Sequence, residues 1–240
     1  MTTGDSTVFI AGASGAIGRV LCRLLVADGW HVAGATRSPE RAADLESLGV
    51  APVVVDVFDR DGLIEAVRAA RPAVVIHQLT DLPKVMDPAA MAAARLRNAR
   101  IRELGTAHLV EAATLAGARR IVAQSIAFAY APGERPHIEL SALDLANAPS
   151  VAILENLVMG CGLEGMVLRY GRLYGPRTWT EVASGEAPVH VEAAADAARR
   201  AVTKGKPGIY NVAEEDGTVS SHKARSELGW SPDFRAPFAD

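Results

Sequence analysis

The chain has 240 residues, of which 49% are apolar and 22% are charged, and 25 basic against 28 acidic side chains give a formal net charge of −3. This composition predicts a single globular domain over residues 1–240 and argues against the basic surface that nucleic acids and anionic membranes require. The two cysteines, Cys22 and Cys161, form no C-x-x-C pair, and no apolar run approaches a membrane span in length. We therefore expect a cytoplasmic protein with no disulfide framework, metal site, nucleic-acid partner or membrane anchor.

The first half of the sequence alternates short β-branched runs with segments of helical periodicity. In chain order, strands and helices are predicted in turn at 7–11, 16–28, 31–36, 39–48, 52–56 and 59–70. The second half adds strands at 120–124, 165–170 and 208–212, helices at 88–116, 150–159 and 191–204, and loops at 131–149 and 175–188. Continuous apolar strands such as AVVIH indicate a parallel sheet covered by helices on both faces. The predicted fold class is α/β, a doubly wound parallel sheet of the Rossmann type.

The segment AGASGAIG lies between the first predicted strand and the first predicted helix. In this context Gly12 allows the tight turn, Gly15 the close approach of the backbone to a diphosphate, and Gly18 the packing of the helix on the strand. The helix amino terminus then faces the anion. We predict that the diphosphate of a dinucleotide binds to this turn. The predicted binding residues are Gly12, Ser14, Gly15, Ala16, Ile17 and Gly18.

The end of the second predicted strand is where an NAD site usually places a carboxylate for the adenosine ribose. The sequence there reads AGATRS and contains no acid. Arg37 instead offers a guanidinium to a 2′-phosphate, with the Ser38 hydroxyl beside it and Arg19 as a second cation. The sequence therefore predicts NADP as the cofactor, with NAD as the alternative.

Several blocks of the sequence resemble, in their order and spacing, the NAD-dependent epimerase/dehydratase family, the extended branch of the short-chain dehydrogenase/reductase superfamily. They include GASGAIG at 12–18, VVIHQLT at 74–80, GTAHLVEAATLAGARRIVAQS at 105–125, VLRYGRLYGP at 167–176 and ARSELGWSP at 224–232. The resemblance covers nearly the whole chain. It implies that Asp56 binds the adenine amine and that Val57 packs on the adenine ring. It also implies that Gln78 and Leu79 line the cofactor and that Tyr170 lies near its nicotinamide end.

The sequence departs from this family at the proton donor. Family members use a Tyr-x-x-x-Lys pair in which the lysine lowers the pKa of the tyrosine. None of the four lysines of this chain lies four positions after a tyrosine. Glu155 resembles the glutamate that commonly follows the pair, and alignment on it puts Asn147 in the tyrosine position and Val151 in the lysine position. The usual acid is therefore missing.

Three other residues are candidates for catalysis because they follow predicted strands at the carboxyl edge of the sheet, where open α/β folds bind ligands. Ser125 lies one residue before the position of the family's catalytic Ser/Thr, which Ile126 occupies, so it reaches the cofactor only if the strand has already ended. Tyr130 lies in the segment after the same strand. Asp81 follows the fourth predicted strand and is a candidate acid or base.

Little sequence remains beyond VLRYGRLYGP, so the substrate-side subregion formed by 171–190 and 205–240 is short. This favours a small or largely apolar carbonyl or alcohol as substrate. The candidate substrate-contacting residues are Thr80, Ile126, Phe128 and Trp179.

The leading prediction is an NAD(P)-dependent oxidoreductase or epimerase/dehydratase that acts on such a substrate with a non-standard proton donor. Two alternatives stay open: a non-catalytic NADP-binding sensor or partner module, and a redox-neutral isomerase or lyase. The resemblance also implies a homodimer formed through the helices predicted at 88–116 and 150–159.

Overall fold

Seven parallel strands form the central sheet of the protein, seen in a computed structural model that describes residues 6–83 and 87–238. The strands are β1 (Thr7–Ala11), β2 (His31–Thr36), β3 (Ala51–Val54), β4 (Val74–His77), β5 (Arg120–Ile126), β6 (Glu164–Tyr170) and β9 (Gly208–Val212). Two short strands, β7 (Arg172–Tyr174) and β8 (Pro188–His190), pair in a separate small sheet. The order β3-β2-β1-β4-β5-β6-β9 places β1 between β2 and β4 and confirms the predicted doubly wound sheet.

Helices cover both faces of this sheet. They are α1 (Ala16–Ala27), α2 (Ala42–Glu46), α3 (Arg60–Ala70), α4 (Pro88–Arg100), α5 (Thr106–Leu115), α6 (Pro149–Met159) and α7 (Val191–Ala201). The first and last of them pack on one face, and α3, α5 and α6 pack on the other. A π-helical turn, Ile101–Gly105, joins α4 to α5, so the helix predicted at 88–116 is continuous. Within the described ranges, none of these helices combines the length and apolarity needed to cross a bilayer.

The apolar stripe of α1 anchors this helix on the sheet. Its buried side chains are Ile17, Val20, Leu21, Cys22, Leu24 and Leu25. They belong to the same core as Val8 and Ile10 of β1. Because helix and strand are joined by a short turn and pack on each other, the amino terminus of α1 lies at the carboxyl end of β1.

Two elements in the first half of the chain differ clearly from the sequence prediction. The helix predicted at 39–48 is a 3₁₀ turn, Pro39–Arg41, followed by the five-residue α2. Leu45 is the only buried residue of that short helix, so little apolar surface is available to stabilise a longer one. The strand predicted at 52–56 stops at Val54, because Asp56 accepts a hydrogen bond from the Phe58 amide at 2.9 Å and the chain turns.

His77 ends β4 in a fully enclosed position behind the carboxyl edge of the sheet. Its Nδ1 accepts a hydrogen bond from the Leu79 amide at 3.2 Å, and its Nε2 lies 3.1 Å from Thr106 Oγ1. The first bond makes Nδ1 the acceptor, so Nε2 carries the proton and donates to Thr106, which donates in turn to the Ile101 carbonyl oxygen at 3.3 Å. Burial lowers the pKa of His77 to about 4. The imidazole is therefore a neutral link between β4 and the π-helical turn.

We expect His77 to make the protein lose stability as the pH falls from about 6.5 to about 4. The unfolded chain binds a proton on this imidazole more readily than the folded chain does. The free energy of unfolding is therefore highest above this window and decreases by about 3 kcal/mol as the pH falls through it. Urea unfolding at a series of pH values measures the effect. His77→Gln should flatten this dependence, whereas the exposed His222→Gln should leave it as in the wild type. An equally steep dependence in His77→Gln would contradict the assignment.

Candidate functional site

A cleft of about 240 Å³ opens at the carboxyl ends of β1, β2 and β4. It brings together most of the residues that the sequence predicts to bind a cofactor: Gly12, Ser14, Gly15, Arg37, Ser38, Asp56, Val57, Gln78 and Leu79. Thr80, predicted on the substrate side, lines the same cleft. The side chains of Ala16 and Ile17 do not line it, since they belong to the first turn of α1 behind the glycines.

The glycine turn leaves space for a ligand at one glycine and uses the other two for packing. A Cβ on Gly12, which has φ +92°, would lie 2.6 Å from the Gln78 carbonyl oxygen, and one on Gly18 would lie 2.2 Å from the Gly12 carbonyl oxygen. At Gly15 the nearest atom would be 3.3 Å away, so the fold itself almost tolerates a side chain there. Gly15 is also the N-cap of α1 and provides no side-chain hydrogen bond to the first turn. The cleft therefore presents uncapped helix amides, which suits a diphosphate.

Cations and hydroxyls surround the end of β2, where an adenosine ribose would lie. Arg41 Nη1 donates to Ser14 Oγ at 3.5 Å, and Ser14 Oγ lies 3.4 Å from Thr36 Oγ1. The Ser38 hydroxyl donates to the Glu40 carboxylate and thereby holds the Glu40 pKa below its usual range. The sequence reasoning missed Arg41. Its position four residues after Arg37 could have indicated it, because one helical turn brings the Arg41 side chain back to the end of β2.

Arg19, considered in the sequence as a second cation, takes another partner. Its Nη1 lies 3.7 Å from an Asp44 carboxylate oxygen, on the side of α1 that faces α2. Arg19 does not line the cleft, whereas Arg41 does. The second guanidinium beside Arg37 is therefore Arg41.

Asp56 and Val57 line the cleft where the chain leaves β3, beside the end of β2. Asp56 Oδ1 accepts the Phe58 amide at 2.9 Å, while its Oδ2 accepts no hydrogen bond within the described residues. Val57 is buried, and its carbonyl oxygen accepts a hydrogen bond from His108 Nδ1 at 2.9 Å. A free carboxylate oxygen beside an apolar side chain fits an adenine with its exocyclic amine.

Gln78, which lines the cleft, has a buried polar atom without a hydrogen-bond partner within the described residues. Its Nε2 donates to Tyr170 Oη at 3.2 Å, whereas its Oε1 is buried and has no hydrogen-bond partner within the described residues. Tyr170 is 1% exposed, and burial raises the pKa of its phenol, so it supports Gln78 without facing the cleft itself. A buried acceptor without a partner costs about 1–3 kcal/mol, which a hydrogen-bond donor of a bound ligand would relieve. Together with the open Gly15 turn, this atom indicates that the residues fit a dinucleotide.

Ser125 and Tyr130, two of the three candidate catalysts, lie in one buried polar network. Ser125 is still within β5 and faces α6, where its Oγ donates to Glu155 Oε1 at 2.7 Å. Arg169 on β6 binds Glu155 with two bonds of 2.9 and 2.6 Å and donates to Tyr130 Oη at 2.8 Å. Burial raises the Tyr130 pKa, and its hydroxyl donates to Asn211 Oδ1 at 2.6 Å. Each of these side chains is already hydrogen-bonded to another group of the protein.

The third candidate, Asp81, lies apart from that network at the rim of the cleft. One of its carboxylate oxygens is 3.2 Å from Arg37 Nη2 and 3.3 Å from Arg97 Nε. The structure therefore joins Asp81 to Arg37 after β2 and does not bring it together with Ser125 or Tyr130.

The remaining substrate-side candidates lie around the ends of β5 and β6. Ile126 is half-buried at the end of β5. Phe128 is 44% exposed, and the Arg172 guanidinium lies 4.6 Å from its ring centre. Trp179 is 39% exposed and donates from Nε1 to the Pro83 carbonyl oxygen at 2.8 Å. These side chains border the same edge of the sheet as the cleft.

Fold and site together define a Rossmann-type NAD(P)-binding protein. A family model described as NAD(P)H-binding matches residues 12–204, and the chain belongs to this family. The chain is also 40% identical, over 264 aligned positions, to a Streptomyces sp. protein called 3-diazoavenalumate denitrifying reductase, with 97% of this chain and 84% of the relative covered. The cofactor class predicted from the glycine turn is thereby confirmed at the level of NAD(P), without a choice between the two forms.

Solved structures of low sequence identity share the fold. UDP-glucose 4-epimerase of Thermotoga maritima, solved with UDP-glucose, superposes with a TM-score of 0.77 at 17% identity, covering 95% of this chain and 94% of the other. UDP-glucose 4-epimerase of Thermus thermophilus, solved with NAD, gives a TM-score of 0.72 at 24% identity, covering 94% and 84%. The resemblance of the sequence blocks to epimerases therefore extends to the architecture.

We predict that Gly15→Ala keeps the fold and weakens NADPH binding by about tenfold or more, because its methyl group enters the space that the diphosphate needs. Gly18→Ala is the matched comparison. Its Cβ collides with the Gly12 carbonyl, so it should destabilise the fold by about 1–3 kcal/mol. Calorimetric titration and thermal unfolding of both variants separate the two effects. Wild-type affinity in Gly15→Ala would show that the diphosphate lies elsewhere.

Proposed function

We propose that this protein is an NADPH-dependent reductase that removes dinitrogen from a small carboxylate carrying an aryl diazonium group and puts hydrogen in its place. The observation that carries the proposal is a cleft lined by most of the predicted cofactor-binding residues in a chain without the Tyr-x-x-x-Lys proton donor. Asn147 is tied to Asp144 by a 2.7 Å hydrogen bond, and Val151 is fully buried, so neither position supplies an acid. The name of the 40% identical relative supplies the substrate class.

The absence of a proton donor is compatible with a reaction in which no oxyanion forms. Bound NADPH supplies a hydride. Reduction of a carbonyl leaves an alkoxide that a general acid must protonate. When a hydride displaces dinitrogen from a diazonium carbon, one C–H bond forms, the C–N bond breaks, and its electron pair leaves with N₂. The carbon needs no proton, so the chain has only to bind and orient the two reactants and exclude water.

The residues at the end of β2 support NADPH over NADH. Arg37 and Arg41 line the cleft beside the hydroxyl groups of Ser14 and Ser38, and no carboxylate of the described residues lines this end of the cleft on the β2 side. A 2′-phosphate would find two guanidinium groups there, whereas a 2′-hydroxyl would lack the usual carboxylate acceptor.

The short regions at 171–190 and 205–240, of which 239–240 lie outside the described residues, would form the substrate side together with the segment after β5. Ile126, Phe128 and Trp179 offer apolar walls to the substrate body. Arg172 is stacked on Phe128 and is near enough to Glu186 to help lower the pKa of that carboxyl, although Glu186 forms its ion pair with Arg135. The Arg172 guanidinium would bind the substrate carboxylate.

Ser125 and Tyr130 then act as positioning residues. Through the Glu155–Arg169 pair they fix the loop after β5, which carries Phe128. The homodimer implied by the sequence resemblance stays a prediction.

We expect the purified protein to convert an arenediazonium carboxylate, such as 4-carboxybenzenediazonium, into the arene with one NADPH consumed and one N₂ released per turnover. With NADPH deuterated at both C4 positions, deuterium should appear on the carbon that carried nitrogen. In D₂O with ordinary NADPH, that carbon should carry no deuterium, because no proton transfer to it is needed. Mass spectrometry and NMR of the product measure both.

Two outcomes would redirect this proposal. Reduction of aldehydes or ketones without any turnover of the diazonium compound would favour the carbonyl substrate predicted from the sequence. Tight NADPH binding with no turnover of either class would favour the non-catalytic sensor.

We also expect Arg37→Ala and Arg41→Ala each to weaken NADPH binding by roughly tenfold, the loss of one charge-assisted contact to phosphate, while NADH binding changes little. Arg19→Ala is the matched control, since Arg19 pairs with Asp44 outside the cleft. Titration calorimetry with each cofactor measures the change. Equal loss of NADH and NADPH affinity in the Arg37 and Arg41 variants would contradict a 2′-phosphate site.

A further inference from the structure

The guanidinium that would meet the 2′-phosphate is engaged by a carboxylate of the chain. Arg37 donates through Nη1 and Nη2 to Asp81 Oδ2 at 3.3 and 3.2 Å. Arg97 Nε lies 3.3 Å from the same oxygen, so two cations share one carboxylate oxygen.

The position of this pair places it across the rim of the cleft. Arg37 follows β2, and Asp81 follows β4 by a few residues. These strands are the two neighbours of β1 in the sheet, and β1 leads into the glycine turn. Arg37 and Thr80, the residue before Asp81, both line the cleft. The ion pair therefore joins the two sides of the site beside the predicted adenosine end.

The two partners differ in how firmly the fold holds them. Asn98 fixes the backbone of Asp81 from both sides: its Oδ1 accepts the Asp81 amide, and its Nδ2 donates to the Asp81 carbonyl oxygen, each at 3.0 Å. The Asp81 side chain is 21% exposed, whereas the Arg37 side chain is 64% exposed. Arg37 is thus the partner that is free to turn towards another anion, and Arg97 remains to neutralise Asp81.

We propose that Asp81 is a specificity-determining residue that competes with the 2′-phosphate of the cofactor for Arg37. The guanidinium exchanges one anion for another when NADPH binds, and the carboxylate weakens the phosphate contact by the free energy of the ion pair that is lost. NADH has no 2′-phosphate and leaves the pair in place. This inference rests on the proposed preference for NADPH and assigns Asp81 to cofactor selection.

Asp81→Asn tests the proposal directly, because asparagine keeps the shape of the side chain and removes its charge. An exposed ion pair of this kind contributes up to about fivefold in an equilibrium constant, so NADPH should bind roughly fivefold more tightly while NADH affinity stays unchanged. The fragments 2′,5′-ADP and 5′-ADP, titrated by calorimetry, should show the same contrast without any nicotinamide. Glu103→Gln is the control. Glu103 lies in the π-helical turn after α4, and its exposed carboxylate forms no ion pair or hydrogen bond with Asp81 or Arg37.

Arg97→Met provides a second variant with the opposite sign. Without Arg97, Asp81 depends on Arg37 alone and holds it more firmly, so NADPH should bind more weakly although Arg97 does not line the cleft. The effect should vanish when Arg97→Met is combined with Asp81→Asn. Asp81→Asn in an Arg37→Ala background should likewise leave NADPH affinity unchanged. Thermal unfolding of each variant confirms that its fold is intact.

The results separate this inference from the proposed function. Wild-type protein that prefers NADPH, with no gain in Asp81→Asn, would overturn the role of Asp81 and leave the cofactor preference standing. An equal gain for NADPH and NADH would also overturn it, since the competition would then not involve the 2′-phosphate. Wild-type protein that does not favour NADPH would remove the proposed preference and this inference together.

Discussion

The close approach of α1 to the turn after β1 is the constraint on which the site depends. Gly12 and Gly18 have no side chains to keep the helix away, and Cβ atoms at those positions would collide with backbone oxygens. The apolar stripe of α1 fastens the rest of the helix to the sheet. The uncapped amino terminus is thereby fixed at the carboxyl end of β1, and the ends of β2 and β4 become its two walls. Cofactor binding is a consequence of this packing.

The two halves of the carboxyl edge are stabilised in different ways. On the β2 and β4 side, the charged groups are more exposed, and two guanidinium groups share one Asp81 carboxylate oxygen, which suits the proposed exchange of partners. On the β5 and β6 side, Glu155 and Arg169 are almost completely buried and bind each other through two hydrogen bonds. A buried pair of this kind holds its neighbours firmly because breaking it leaves an uncompensated charge. The fold thus provides an adaptable cofactor end and a rigid support for the proposed reaction end.

The sequence was sufficient for the fold class and for finding most of the residues that line the cleft, because both depend on local patterns. Continuous apolar strands, the stripe of α1 and the glycine spacing each reflect one element and its immediate neighbour. The orientation of Ser125 depended on where β5 ends: the strand continues through Ile126, which turns Ser125 to the face that packs on α6. Pairings such as Arg37 with Asp81 join residues far apart in the sequence, and no local pattern predicts them.

The small sheet of β7 and β8 also escaped prediction, for a reason of length and contact. Strands of three residues are too short to show a period. Gly171 precedes β7 where a Cβ would lie 2.0 Å from the Ala187 carbonyl oxygen, so only the three-dimensional approach of the two segments explains that glycine. Arg41 was missed because its strand-end position follows from a 3₁₀ turn where a regular helix was predicted.

The hydrogen bond from Trp179 to the Pro83 carbonyl oxygen ties the loop after β7 to the loop after β4. The first loop borders the region proposed for the substrate, and the second also carries Asp81, whose carboxylate meets Arg37. Displacing either loop must break this bond or carry the other loop along. If either loop moves when a ligand binds, the Trp179 indole is displaced or loses this hydrogen bond, so its fluorescence would report on both regions once the other two tryptophans are replaced.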